Sequence, residues 1–243
     1  MSGGLTGYHR AIPVPSIAAN RFCRADYMEN NVITVDHQFD SISEAFLSNE
    51  LQRAVSTAIE WAPEVKHEAL LSTLLSAVLN RSGVQSMREV RIERTRSSRR
   101  HDMKINDLPL EAKYHFEFDI ESICRSLARS STELAHLGHK PFNSWSAGDA
   151  FLKELSRTRN SYFLWSVCDR GPDPVPNACM RKNALAWHRE LCRRGVSDSR
   201  AYLEEQLEQV MTMSKATMPG LHVRKLPDIE GGSTRLRSFL FFR

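Results

Sequence analysis

The stretch PLEAKYHFEFD, residues 109–119, alternates without a break. Leu110, Ala112, Tyr114, Phe116 and Phe118 take one set of positions. Glu111, Lys113, His115, Glu117 and Asp119 take the other. Side chains of a β-strand point alternately to opposite faces, so a period of two means a strand with one apolar and one ionisable face. A 3.6-residue helical repeat would mix the two sets on every face. Five ionisable groups in a row on one face exceed what a solvated strand needs, and what that face does is the question the chain poses.

Its neighbours set the fold class. Two further strands are expected at 87–95 and 100–105, with turn chemistry in the Asn106-Asp107-Leu108-Pro109 step. Upstream, SISEAFLSNELQRAVSTAIEWA has helical spacing from Ser41, with Ser41 or Ser43 as cap. Pro63 then opens a second helix, PEVKHEALLSTLLSAVLNRSG, whose Leu70, Leu71, Leu74, Leu75 and Val78 form a buried stripe before Gly83 stops it. Downstream come helices at 120–136 and 147–158, an apolar strand at 161–169 and a Pro-rich loop at 171–177. Helices at 179–194 and 198–215 and a terminal strand in TRLRSFLFFR complete the chain. The order α-α-β-β-β-α-α-β-α-α-β predicts an α/β protein, a mixed sheet flanked by helices. Residues 1–40 are expected to be an N-terminal arm, 41–170 the core, and 171–243 a helical extension with a final strand packed on that core.

Composition narrows the class. With 41% hydrophobic and 26% charged residues, the 243-residue chain is ordinary for a globular protein. The sequence contains no 18-residue apolar run, and the N-terminus lacks the apolar region of a secretory signal. Five cysteines are scattered without a CxxC pair, which points to a cytoplasmic protein without zinc or disulfides. The net charge of +4 is mild, but residues 88–100, REVRIERTRSSRR, hold six arginines against two glutamates. Such a run suits a polyanion or is simply a solvated edge.

If the strands at 100–105 and 109–119 form a hairpin, Asp102 and Glu111 lie close on one face. Two hard carboxylates suit Mg²⁺ or Mn²⁺, which prefer oxygen ligands and keep several waters. Lys113, two residues on, shares that face and can orient or deprotonate a water, or stabilise charge on a phosphoryl oxygen. Ala112 points inward, yet its carbonyl can reach the same cation. The competing reading is a salt-bridged sheet surface, with Lys104 and Lys113 paired to Glu111 and Glu117.

Asp102 followed by Glu111-Ala112-Lys113 resembles the PD-(D/E)xK nuclease superfamily, which includes the type II restriction endonucleases. The resemblance covers roughly residues 60–170. It implies a restriction endonuclease-like core and a Mg²⁺- or Mn²⁺-dependent endonuclease acting on DNA, in a restriction or defence setting. Asp102 and Glu111, with the Ala112 carbonyl, would hold the metal, and Lys113 would serve the attacking water. Glu68 would assist from the preceding helix, with Glu64 as second choice. It also implies a homodimer. Arg94, Arg96, Arg99, Arg100 and Lys104 are the candidate DNA contacts. His115 joins them as a contact to the DNA backbone or a second metal, or is an ordinary exposed or supporting group, as is Glu117. The chain departs from the family in having His101 before Asp102, a short gap to Glu111, and two helices before the fourth strand. The alternative is a nuclease-like fold that binds nucleic acid or a partner without cutting.

Trp61, Trp145, Trp165 and Trp187 read as core, with Trp145 in FNSWSAGD the one to test as a DNA contact. His136 and His139 read as a helix end. No GxSxG, GxxxxGK[ST] or GxGxxG sequence occurs, which argues against serine hydrolysis, nucleotide hydrolysis and a nucleotide cofactor.

Overall fold

A computed structural model describes residues 37–91, 100–129, 146–171 and 182–243. Residues Gln38–Arg243 form one compact unit. It is an α/β protein built on a mixed seven-stranded sheet. Helix α1 covers residues 37–47, and α2 (Asn49–Trp61) follows after a break at Ser48. The sequence suggested one continuous helix there. The break arises because Ser48 acts as an N-cap, its hydroxyl accepting from Leu51 N–H at 3.3 Å.

The second helix also differs from expectation. Pro63 opens a turn rather than a helix, and α3 spans Glu68–Arg81. The turn is closed by Val65 N–H to the Ala62 carbonyl at 3.1 Å, and His67 Nε2 lies 2.9 Å from the same carbonyl. Glu68 is therefore the first residue of α3. Leu71, Leu75, Val78 and Leu79 bury its inner side, and Gly83, at φ +82°, ends it.

β1 (Ser86–Arg91), β2 (Arg100–Ile105) and β3 (Leu108–Phe116) run as an antiparallel meander. The β2–β3 hairpin closes over Asn106 and Asp107, Asn106 taking the positive φ of 50° that asparagine tolerates. β3 stops at Phe116, three residues short of the alternating stretch. Asp119 Oδ2 accepts Phe116 N–H at 3.1 Å, and residues Glu117–Asp119 coil into a 3₁₀ turn. Glu117 and Asp119 therefore leave the row of Glu111, Lys113 and His115. α4 covers Ile120–Ala128, shorter than the expected 120–136, of which 130–136 lie outside the described residues.

α5 (Ala147–Ser156) starts at a reciprocal cap. Ser146 Oγ accepts Asp149 N–H at 3.1 Å, and the Asp149 carboxylate accepts Ser146 N–H at 3.0 Å. β4 (Tyr162–Asp169) then lies parallel to β3, with Glu111 opposite Phe163 and Lys113 opposite Trp165. All eight β4 residues are buried, as expected for the apolar run. After α6 (Lys182–Arg193) and α7 (Ser199–Thr217) the chain returns to the sheet. Where the sequence suggested one terminal strand there are three: β5 (His222–Lys225), β6 (Ile229–Gly231) and β7 (Thr234–Phe242). The order is β1-β2-β3-β4-β7-β5, with β6 also pairing β7. β7 is antiparallel to β4, so the end of the chain is central to the sheet rather than appended to it.

Helices cover both faces of the sheet's centre. Phe163, Trp165 and Val167 of β4 pack with Phe239 and Phe241 of β7 under α4, α5 and α7. Parallel neighbours in register share a face, so Glu111, Lys113 and His115 lie on this covered side. Glu111 and His115 are 5% and 4% exposed, so the expected solvent-facing row is largely interior. A parallel pair of strands flanked by helices buries both faces, which is why alternation did not mean half-exposure here.

Candidate active site

Beyond Met103–Leu110 the β2–β3 ladder opens. The Asp102 side chain enters the gap, its Oδ2 accepting Ala112 N–H at 2.8 Å. Across from it the N-terminus of α3 delivers Glu68, whose Oε2 accepts Tyr114 N–H at 3.3 Å. Lys113 Nζ lies 3.6 Å from Glu68 Oε1 and 3.9 Å from Asp102 Oδ2, and donates to the Ala112 carbonyl at 2.7 Å. The three side chains are partly exposed, between 26% and 34%. Two carboxylates thus share one ammonium. Burial pushes the Glu68 carboxyl up from its ordinary value, Lys113 pulls it back, and the Asp102 charge pushes the same way as burial.

The expected residues distribute unevenly over this geometry. Asp102, Lys113, Glu68 and the Ala112 backbone are brought together. Glu111 follows Leu110, the last β3 residue paired with β2, and is buried beneath the surface. Glu64, the second choice for the helical glutamate, is turned elsewhere, bonded to Arg170. Lys104 pairs with Asp107 at 3.2 Å and Glu117 with Arg170. The pairing of Lys104 and Lys113 with Glu111 and Glu117 that a plain salt-bridged surface requires is not the one formed.

Arg94, Arg96 and Arg99 lie outside the described residues, as do Trp145, His136 and His139. Arg100 opens β2 two residues before Asp102. His115 does not present a positive charge. Burial, together with Lys66 and Lys113, lowers its pKa to about 3. Its Nδ1 accepts Trp165 Nε1–H at 3.0 Å. In the ligand-free chain the neutral ring offers a phosphate a hydrogen bond rather than an ion pair.

A cleft of about 400 Å³ adjoins Lys113. It is lined by Lys66, Glu68, Tyr114 and His115, and by Asp119 with the first residues of α5. Lys66 belongs to the helix-like sequence EVKHE yet lies in the 62–67 turn, and only the folded turn reveals it as a site residue. Trp61 also escaped the sequence reading. It was expected in the core and is 83% exposed, with Val65 at 51%, five residues from Lys66. An aromatic at the end of an amphipathic helix carries no sequence signal that tells core from rim.

The donor set fits a hard divalent cation by chemistry. Its side-chain donors are carboxylate oxygens, they sit beside a backbone carbonyl, and a lysine ammonium supplies counter-charge to them. Among the described residues no three His, Cys, Asp or Glu side chains converge as a ready-made metal cage. Mg²⁺ does not require one, since it is commonly held by one or two carboxylates, waters and substrate oxygens. No helix among the described residues is long and apolar enough to cross a membrane. No family model, curated protein or solved structure matches the chain.

Proposed function

We propose that the protein is a metal-dependent nuclease that hydrolyses DNA phosphodiester bonds, built like the PD-(D/E)xK enzymes that residues 102–113 resemble. One observation carries the reading: Asp102 and Glu68 both lie within 4 Å of the Lys113 ammonium where the β2–β3 ladder opens. The strand order supports it. An antiparallel meander, a helical crossover and a fourth strand parallel to the third follow a helix that carries the assisting glutamate.

In this reading Asp102 and the Ala112 carbonyl would hold Mg²⁺ or Mn²⁺, with the carboxylate of the buried Glu111 turning outward to join them; when bound the ion supplies Lewis-acid stabilisation and a more acidic water. The residues of the chain do the rest. Lys113 holds the attacking water or neutralises charge on the phosphoryl oxygens. Glu68 orients Lys113 and, with its carboxyl raised by burial, accepts a proton more readily than an exposed glutamate. The arginine run of residues 88–100 meets the backbone without reading sequence.

Supercoiled and linear DNA, incubated with and without Mg²⁺ or Mn²⁺ beside Lys113→Ala and Asp102→Ala, tests this. Metal-dependent cutting lost in both variants is the expected result. A variant that cuts at the wild-type rate removes the site assignment. Salt-sensitive binding without any cutting moves the chain to the non-catalytic binding reading.

A further inference from the structure

We propose that His115 is a fixed neutral donor that binds a phosphate group in the cleft beside Lys113, and that Trp165 sets its tautomer. The inference rests on the nuclease reading only in taking that phosphate to be one of the DNA substrate.

The indole nitrogen of tryptophan is a donor only. Trp165 is fully buried in β4, and its Nε1–H donates to His115 Nδ1 at 3.0 Å. Nδ1 must therefore be the bare nitrogen. The ring is neutral, so its one hydrogen is on Nε2. Among the described residues the bond from Trp165 is the ring's only hydrogen bond, and His115 lines the cleft. With Nδ1 turned to Trp165, the edge left to the cleft is Nε2–H. His115 is 4% exposed and lines the cleft, so Nε2–H is the donor it has left to offer a ligand there.

Two ammonium groups offer an anion its charge partners. Lys66 and Lys113 line the same cleft. So does the start of the ten-residue α5, where the cap serves Ser146 and Asp149 but not the amide of Ala147. Three carboxylates line it too, and each is engaged. Asp119 accepts Phe116 N–H, Glu154 accepts from Arg157, and Glu68 faces Lys113 and Tyr114 N–H. A cleft of about 400 Å³ holds a phosphate with its sugar. A neutral donor suits a phosphodiester because the bond to it does not change with pH across the working range.

The test is binding of thymidine 3′,5′-bisphosphate to the full chain in EDTA, by calorimetry, with no cleavage involved. His115→Asn keeps an acceptor for Trp165 and lacks the donor. It should bind about tenfold more weakly. His115→Gln places an amide N–H where Nε2–H stands and should return to within about twofold of the wild type. Trp165→Phe releases the tautomer, so part of the population carries the hydrogen on Nδ1 and binding should weaken. Should His115→Asn fail to fold, long-range ¹⁵N spectra of the wild type give the same answer. Nε2 should be protonated, Nδ1 bare, and the Nε2 signal should move as the bisphosphate is added.

Wild-type affinity in His115→Asn, no binding by the wild type, or a protonated Nδ1 overturns the proposal. A chain that binds through His115 but cuts with no metal defeats the nuclease reading alone. A chain that cuts while His115→Asn binds and cuts normally defeats this one alone.

Discussion

Buried beside Lys66 and Lys113, the His115 ring is costly to protonate, and its pKa is lowered to about 3. The unfolded ring titrates at about 6.5. Between those values the unfolded chain binds more protons than the folded one. The contribution of neutral His115 is therefore complete above about pH 6.5 and is lost as pH falls towards 3. The stability advantage of the wild type over His115→Asn should shrink from pH 7 to pH 4, by up to about 1.4 kcal/mol per pH unit. Urea unfolding of both proteins across that range reads it, and a pH-independent difference contradicts it. The same burial explains why the residue belongs to the site in a different way from Lys113. One acts as a charge at the rim, the other as a fixed dipole in the wall.

Two contacts between elements hold the site's walls. Arg170, after β4, is 3% exposed and donates to Glu117 of the 3₁₀ turn and to Glu64 of the 62–67 turn. Its guanidinium also lies 5.4 Å from the Phe116 ring centroid and 5.6 Å from that of Phe118. Arg170→Met strands two carboxylates, one of them fully buried, and should cost about 3–5 kcal/mol in chemical unfolding. Adding Glu117→Gln should recover part of that. The second contact is Gly148, where a Cβ would lie 2.2 Å from Ser126 Oγ and 2.5 Å from the Ser122 carbonyl. Gly148→Ala must push α5 off α4, at about 1–3 kcal/mol. It should also weaken phosphate binding, since α5 opens on the cleft. Ser126→Ala added to it relieves only the first clash, so rescue should be partial.

The sheet ties the site to the end of the chain. β7 lies between β4 and the β5–β6 edge and buries Leu236, Phe239, Leu240 and Phe241. A chain ending after α7, at Thr217, exposes the whole flank of β4 and should fail to give a cooperative thermal transition. At the same scale, Mg²⁺ bound at the proposed site would stabilise the folded molecule by mass action, about 2.7 kcal/mol at a hundred times the dissociation constant. Wild-type Tm should rise with Mg²⁺ and that of Asp102→Ala should not. An equal rise in both would place the ion elsewhere.

Period and composition decided much of this in advance. Alternation fixed β3 and the shared face of Glu111, Lys113 and His115. The apolar run of residues 161–169 fixed β4, and turn chemistry fixed the β2–β3 hairpin. Those are local matters, settled by backbone geometry and the side chains within a few residues. Whether an alternating face meets water is not local. It depends on what the rest of the chain packs against it, and here Glu111 and His115 are buried. Long-range packing alone also set where the chain's last residues enter the sheet, left Trp61 at the surface, and turned Lys66 toward the cleft. The Trp165–His115 bond joins residues 50 apart in sequence, and no period in either strand announces it. The sequence by itself determined which residue types line the strands. The tertiary structure decided which of them were desolvated and paired, because burial and hydrogen bonding across strands depend on neighbours that chain order does not specify.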